Sequence, residues 1–150
     1  MAETELYVNG VEVRTDILKK LHNFQPPFYE TGIYSRLAEV LSDSNGKPKF
    51  SVSSTIVEPS DVWIITVGSP LYDGEENPNL LAVERVTFDI SKFLKKGDLV
   101  IARSTVPVGI TRSIIAKVLE QNTGLLAGKD FSLVFAPERT VEGAALTEIK

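Results

Sequence analysis

Pro137-Glu138-Arg139-Thr140-Val141-Glu142-Gly143 gathers two carboxylates, a guanidinium and a hydroxyl in one short run. It follows Phe131-Ser132-Leu133-Val134-Phe135-Ala136, an apolar run that reads as a buried strand. A carboxylate at a strand end, partly withdrawn from water, is suited to general-base work. Arg139 can pair with Glu138 or reach a diphosphate as a bidentate donor. Ser104-Thr105-Val106-Pro107-Val108-Gly109 and Val67-Gly68-Ser69-Pro70 each follow a strand-like run in the same manner. Ligands of open α/β sheets bind outside the carboxyl ends of the strands, where these three loops belong. Each loop alone has a plainer explanation. The first is a surface turn with weak exposed ion pairs, the second a strand-end turn with a Ser/Thr cap for the next helix, the third a simple turn.

The elements that must carry these loops alternate between strand and helix, which argues for a largely parallel sheet. Leu6–Val13 reads as a strand, and Asp16 as the cap of a short helix in which Ile17, Leu18 and Leu21 share a face. Pro26-Pro27 ends that helix, and Thr31 or Gly32 opens another carrying Ile33, Leu37, Val40 and Leu41. Ser42 to Pro48 is a polar turn and Phe50-Ser51-Val52 a short strand. Asp61–Val67 is nearly continuous in apolar residues, as a central parallel strand should be. A polar loop from Leu71 to Pro78 leads to Asn79, the expected cap of a helix with Leu80, Val83, Val86, Ile90 and Leu94 on one face. Lys95-Lys96-Gly97 closes it. Leu99–Ala102 is the next strand, and Thr111–Glu120 a helix with Ile114, Ile115, Val118 and Leu119 inward and Gly124 past its end. Trp63 belongs to the core. His22, with neither a cysteine nor a second histidine in the chain to join it, reads as a charge at a helix C-terminus rather than a metal ligand.

Bulk properties narrow the classes. One domain accommodates 150 residues, and 43% hydrophobic with 24% charged residues is ordinary for a globular protein. A formal net charge of −4 offers no basic footprint for nucleic acid. No apolar run reaches the roughly 20 residues that span a bilayer, and the acidic N-terminus lacks a signal core. A cytoplasmic protein with no membrane partner is expected. The count of cysteines is 0, which excludes thiol chemistry within these residues.

Together with Asp61-Val62-Trp63-Ile64-Ile65-Thr66-Val67-Gly68-Ser69-Pro70, the Ser104–Gly109 and Pro137–Gly143 blocks resemble the nucleotide-sugar 6-dehydrogenases. Pro26-Pro27-Phe28-Tyr29-Glu30, then Gly32-Ile33, is similar to that family's P-x-x-E-x-G segment. The form Pro-Glu-Arg-Thr-Val-Glu-Gly-Ala-Ala is most like the UDP-N-acetylmannosamine branch. The resemblance implies an α/β fold with a Rossmann-like, doubly wound parallel sheet. It also implies NAD as cofactor and a UDP-sugar substrate, UDP-N-acetylmannosamine or UDP-glucose, oxidised at its 6-hydroxyl to a uronic acid. By the same resemblance Thr105 orders a water beside the reacting carbon and Glu138 activates the water that hydrolyses a thioester. Glu142 lies near nicotinamide and sugar. Glu12, Arg14, Val67, Gly68, Ser69, Pro70, Ser104 and Thr105 line the cofactor, and Glu138, Arg139, Thr140 and Val141 the substrate.

The family's Gly-x-Gly-x-x-Gly turn is not found in these residues. Glu12 stands where the acidic residue that receives the ribose hydroxyls should follow it. The expectation is therefore an incomplete NAD-binding domain over residues 1–150. It would lack the first βα unit, the middle helix and the C-terminal nucleotide-sugar domain, and would be inactive as it stands. In the order 3-2-1-4-5-6 the first strand is central. Its loss would lead either to Leu6–Val13 pairing directly with Asp61–Val67, or to a homo-oligomer formed through unpaired edges. Two alternatives stay open: a non-catalytic nucleotide- or protein-binding module of the same descent, and another Rossmann-like enzyme with a different phosphate anchor. The chain has no Gly-x-x-x-x-Gly-Lys loop to favour the latter.

Overall fold

The computed structural model describes residues 6–42, 50–70 and 78–139. Along them run β1 (Val8–Val11), α1 (Thr15–His22), α2 (Ile33–Leu41), β2 (Phe50–Ser53), β3 (Val62–Ile65), α3 (Leu81–Ser91) and β4 (Leu99–Ala102). A π-helical turn (Thr111–Ala116) then continues as α4 (Lys117–Thr123), and β5 (Ser132–Phe135) follows. Every ladder between these strands is parallel. This is the α/β, Rossmann-like architecture expected. The chain divides into two units, Met1–Val57 with Arg139–Lys150, and Glu58–Glu138.

In the first unit β1 pairs with β2, Val8 opposite Phe50 through Val11 opposite Ser53. Gly10 makes that register feasible, because a Cβ there would meet the Phe50 ring at 2.9 Å. The expected pairing of Leu6–Val13 with Asp61–Val67 is overturned: β1 is bonded to β2, and β3 to β4. Asp16 is not the cap of α1 either. The N-cap is Arg14, in extended conformation, and Asp16 sits in the first turn with its carboxylate on the Arg14 guanidinium at 2.7 Å. His22 lies in the last turn of α1, where its Nε2 donates to the Val52 carbonyl at 3.2 Å and ties the helix to β2. Gly32, at φ 82°, opens α2.

The second unit is a three-stranded sheet of order β3-β4-β5. Trp63, Ile65, Val100 and Ala102 from the strands pack with Val83 and Ile90 of α3 and with Ile115 and Leu119, all buried. The N-cap of α3 is Leu80 rather than the expected Asn79, which sits one residue earlier and accepts the Leu81 N–H on its Oδ1 at 3.0 Å. Thr87 is fully buried in that helix, its hydroxyl satisfied by the Val83 carbonyl at 2.6 Å. Residues 111–116 form wider π turns than the α-helix expected there, with α geometry resuming at Lys117.

β5 departs from the buried strand read in Phe131–Ala136. Phe131 is buried, but Val134 and Phe135 are exposed at 44% and 46%. The reason is position: β5 is the sheet's edge and pairs only with β4 among the described strands. At the amino end of the strands the buried Asp98 accepts from Trp63 Nε1 at 3.0 Å and from Lys95 Nζ at 2.6 Å. Burial disfavours charge on Asp98, but hydrogen bonds from Lys95 and Trp63 outweigh it and hold the carboxyl below its usual range.

Candidate active site

Three chain segments leave the carboxyl edge of the β3-β4-β5 sheet, and hydroxyl and charged side chains stitch them together. Ser104, two residues past the end of β4, is buried. Its hydroxyl donates across to the Val67 carbonyl at 2.7 Å, in the loop that follows β3. The reverse link is made by Ser69, whose hydroxyl donates to the Thr105 carbonyl at 2.6 Å. Each loop therefore supplies a donor to the other's backbone, and two segments far apart in sequence are held as one surface. Thr105 is exposed on it, while its neighbour Val106 is buried and anchors the turn. Pro70 closes the first loop, its carbonyl accepting the Asn79 N–H at 2.8 Å just before α3.

Glu138 joins the same edge from the third segment. The ladder between β4 and β5 runs on past its assigned end. The Ala136 N–H donates to the Ala102 carbonyl at 2.9 Å and the Glu138 N–H to the Arg103 carbonyl at 3.1 Å. The Glu138 carboxylate forms an ion pair with the Arg103 guanidinium, both side chains being partly exposed. Arg103 was not singled out in the sequence, although its place immediately before Ser104 at a strand end was a usable signal. Asp98 was also missed; it directly follows Gly97 and opens β4.

Ser69, Ser104, Thr105 and Glu138 thus come together at one sheet edge. Gly68 lies in the same loop as Ser69, exposed, and a Cβ added to it would come no nearer than 4.0 Å to Pro70 Cδ. Its backbone is open to a ligand's approach. In the other unit, Glu12 follows β1, and its Oε1 accepts the Arg14 N–H at 2.8 Å. The Arg14 guanidinium is engaged by Asp16, which raises its already high proton affinity. Arg139 is exposed. Thr140, Val141 and Glu142 lie outside the described residues, as does the polar stretch expected before Pro78. An open groove lined by Leu81, Phe88 and Val118, between α3 and α4, shares no residue with the strand-end cluster. The chemistry-bearing residues gather at the sheet edge.

Residues 1–150 match the NAD-binding domain of the UDP-glucose/GDP-mannose dehydrogenase family. The chain belongs to this family. It is 36% identical over 142 residues to the UDP-N-acetyl-D-mannosamine dehydrogenase of Pyrococcus horikoshii, covering 95% of this chain and 33% of that protein. The enzyme of the same name from Campylobacter jejuni is 29% identical over 154 residues, covering 99% and 37%. Among solved structures, the Pyrococcus horikoshii dehydrogenase superposes with a TM-score of 0.88 at 35% identity, over 99% of this chain and 34% of the other. A ternary complex of GDP-mannose dehydrogenase from Pseudomonas aeruginosa gives a TM-score of 0.84 at 25% identity, over 99% and 34%. The chain spans about a third of the length of the curated relatives it matches. No helix among the described residues is long and apolar enough to cross a membrane.

Proposed function

We propose that this chain supplies the NAD-binding part of a UDP-sugar 6-dehydrogenase, with UDP-N-acetylmannosamine the favoured substrate and UDP-glucose the alternative. The observation that carries the reading is the convergence of Ser69, Ser104, Thr105 and Glu138 on one carboxyl edge of a parallel sheet. The relatives named UDP-N-acetyl-D-mannosamine dehydrogenase favour that sugar over glucose. NAD, when bound, accepts hydride from the carbon being oxidised. The open backbone at Gly68 suits the close approach of a dinucleotide, and the family resemblance adds Glu12 as an acceptor for ribose hydroxyls. Arg14, Val67, Pro70 and Glu142 belong to the same proposed cofactor lining.

In the proposed chemistry a primary alcohol becomes a carboxylate in two hydride transfers, each leaving one NADH. Thr105 presents its hydroxyl to a water beside the reacting carbon. Glu138 takes the proton from the water that releases the product acid, and Arg139, Thr140 and Val141 line the sugar. The covalent stage of this family's reaction needs a cysteine, and these 150 residues contain none. Tested as these residues alone, the chain is therefore proposed not to turn over. The alternative reading is a non-catalytic nucleotide- or protein-binding module of this descent. A cytoplasmic setting, a role in polysaccharide biosynthesis, and self-association through strand edges complete the proposal.

The test is saturation-transfer NMR with UDP-N-acetylmannosamine, UDP-glucose and UDP alone, on wild type and on Thr105→Ala and Glu138→Gln. A sugar-proton signal stronger for the N-acetylated sugar and weakened in both variants supports the reading. Sugar contact indifferent to both substitutions would count against it.

A further inference from the structure

We propose that Arg103 is a positioning residue that holds Glu138 as an oriented carboxylate at the carboxyl edge of the sheet. This rests on the dehydrogenase reading above, in which Glu138 is the general base.

Glu138 is tied to Arg103 at two points. Its backbone N–H donates to the Arg103 carbonyl at 3.1 Å, and its Oε2 meets the Arg103 guanidinium Nη2. The base of the arginine is itself fixed, since its own N–H donates to the Ile65 carbonyl at 2.9 Å on β3. The next residue, Ser104, is buried and bonded through its hydroxyl to Val67. The guanidinium therefore projects from a stiff strand end that spans the sheet from β3 to β5. A planar guanidinium constrains the carboxylate it binds more tightly than an ammonium would.

Charge adds to geometry. A base must be ionised before it can take a proton, and an adjacent opposite charge favours that form. The side chains of Arg103 and Glu138 remain 34% and 43% exposed, so the pair is open to a ligand and contributes little to stability. Arg103 comes from the end of β4, and Arg139 follows Glu138 in sequence; Glu142 lies outside the described residues.

The experiment is carboxyl-carbon NMR on the 150-residue chain, with the Glu138 resonance assigned by its loss in Glu138→Gln. Its titration midpoint is compared in wild type, Arg103→Gln and Arg103→Lys. We expect Arg103→Gln to move the midpoint upward by about half a pH unit or more, with Arg103→Lys recovering most of the change. An unmoved midpoint in Arg103→Gln, with the backbone amide spectrum preserved, overturns the proposal. If Arg103→Gln does not fold, the wild type is titrated at low and high salt. A midpoint that rises as salt screens the pair supports it, and one indifferent to salt overturns it. The titration needs neither cofactor nor sugar. Loss of sugar binding would count against the dehydrogenase reading while leaving this pair standing, and a silent titration would do the reverse.

Discussion

The Ser69 hydroxyl donates to the Thr105 carbonyl at 2.6 Å, across 36 residues of sequence. Ser69, one of the residues expected to line the cofactor, thereby braces the loop that carries Thr105. Ser69→Ala should cost roughly 1 kcal/mol in urea unfolding, with Ser69→Thr close to wild type because the donor is kept. Ser104→Ala removes the reverse link to Val67. Because the two bonds join the same two loops, the double substitution should depart from additivity. Strict additivity would show that the loops are held independently.

Asp98 anchors the opposite end of the strands through Trp63 Nε1 and Lys95. Asp98→Ala would strand the Trp63 indole N–H and remove the acceptor of the Lys95 backbone N–H, while the Lys95 ammonium keeps Asp61 and the Ser60 carbonyl, and should destabilise by about 1–3 kcal/mol. Its carboxyl titrates below the usual range in the folded chain. The stabilisation is therefore complete above the ordinary carboxylate value of about 3.9 and is lost as pH falls through the lower folded value. Unfolding midpoints of the wild type should fall below about pH 4, and Asp98→Asn should flatten that decline. Equal acid sensitivity in both proteins would assign the effect to other carboxylates.

Much of this was legible in the sequence, and the failures share a cause. Leu99–Ala102 is a strand to the residue, because an unbroken apolar run sits between Gly97-Asp98 and Arg103. Asn79 marked the start of α3 to within one residue, because its side chain bonds locally to the first-turn Leu81 N–H. Periodicity cannot separate a central strand from an edge strand, so β5 was read as buried while Val134 and Phe135 face outward. Partners 35 residues apart are equally invisible to a local pattern, which is why Arg103 went unnoticed beside Glu138. Asp16 was misread because its carboxylate is claimed by Arg14, two residues away.

NAD should bind these 150 residues weakly or not at all. A dinucleotide's pyrophosphate is held by backbone N–H groups at a helix N-terminus, and the Gly-x-Gly-x-x-Gly turn that presents them is not among these residues. Calorimetry should give little or no heat; a micromolar dissociation constant would contradict this account.

Purified chain should form no NADH from UDP-N-acetylmannosamine or UDP-glucose at 340 nm. With 0 cysteines there is no thiol to carry the covalent stage. Single members of a catalytic unit give little on their own. Steady NADH production, abolished by Glu138→Gln, would require a different mechanism.

The last prediction concerns the outer edge of β3. Asp61 and Ile65 turn their carbonyls to β4, accepting from Leu99 and Arg103 at 2.9 Å each. Strand alternation then directs the backbone groups of Val62 and Ile64 the other way. β3 pairs only with β4 among the described strands, and the Val62 side chain is 46% exposed. Such an edge invites another strand, and a lysine on it discourages pairing. Sedimentation velocity should show association that grows with concentration in the wild type. Val62→Lys should shift it toward monomer while leaving Trp63 fluorescence unchanged, since Trp63 points to the opposite face and stays buried. A wild type that remains monomeric at high concentration would show that this edge does not recruit a second copy.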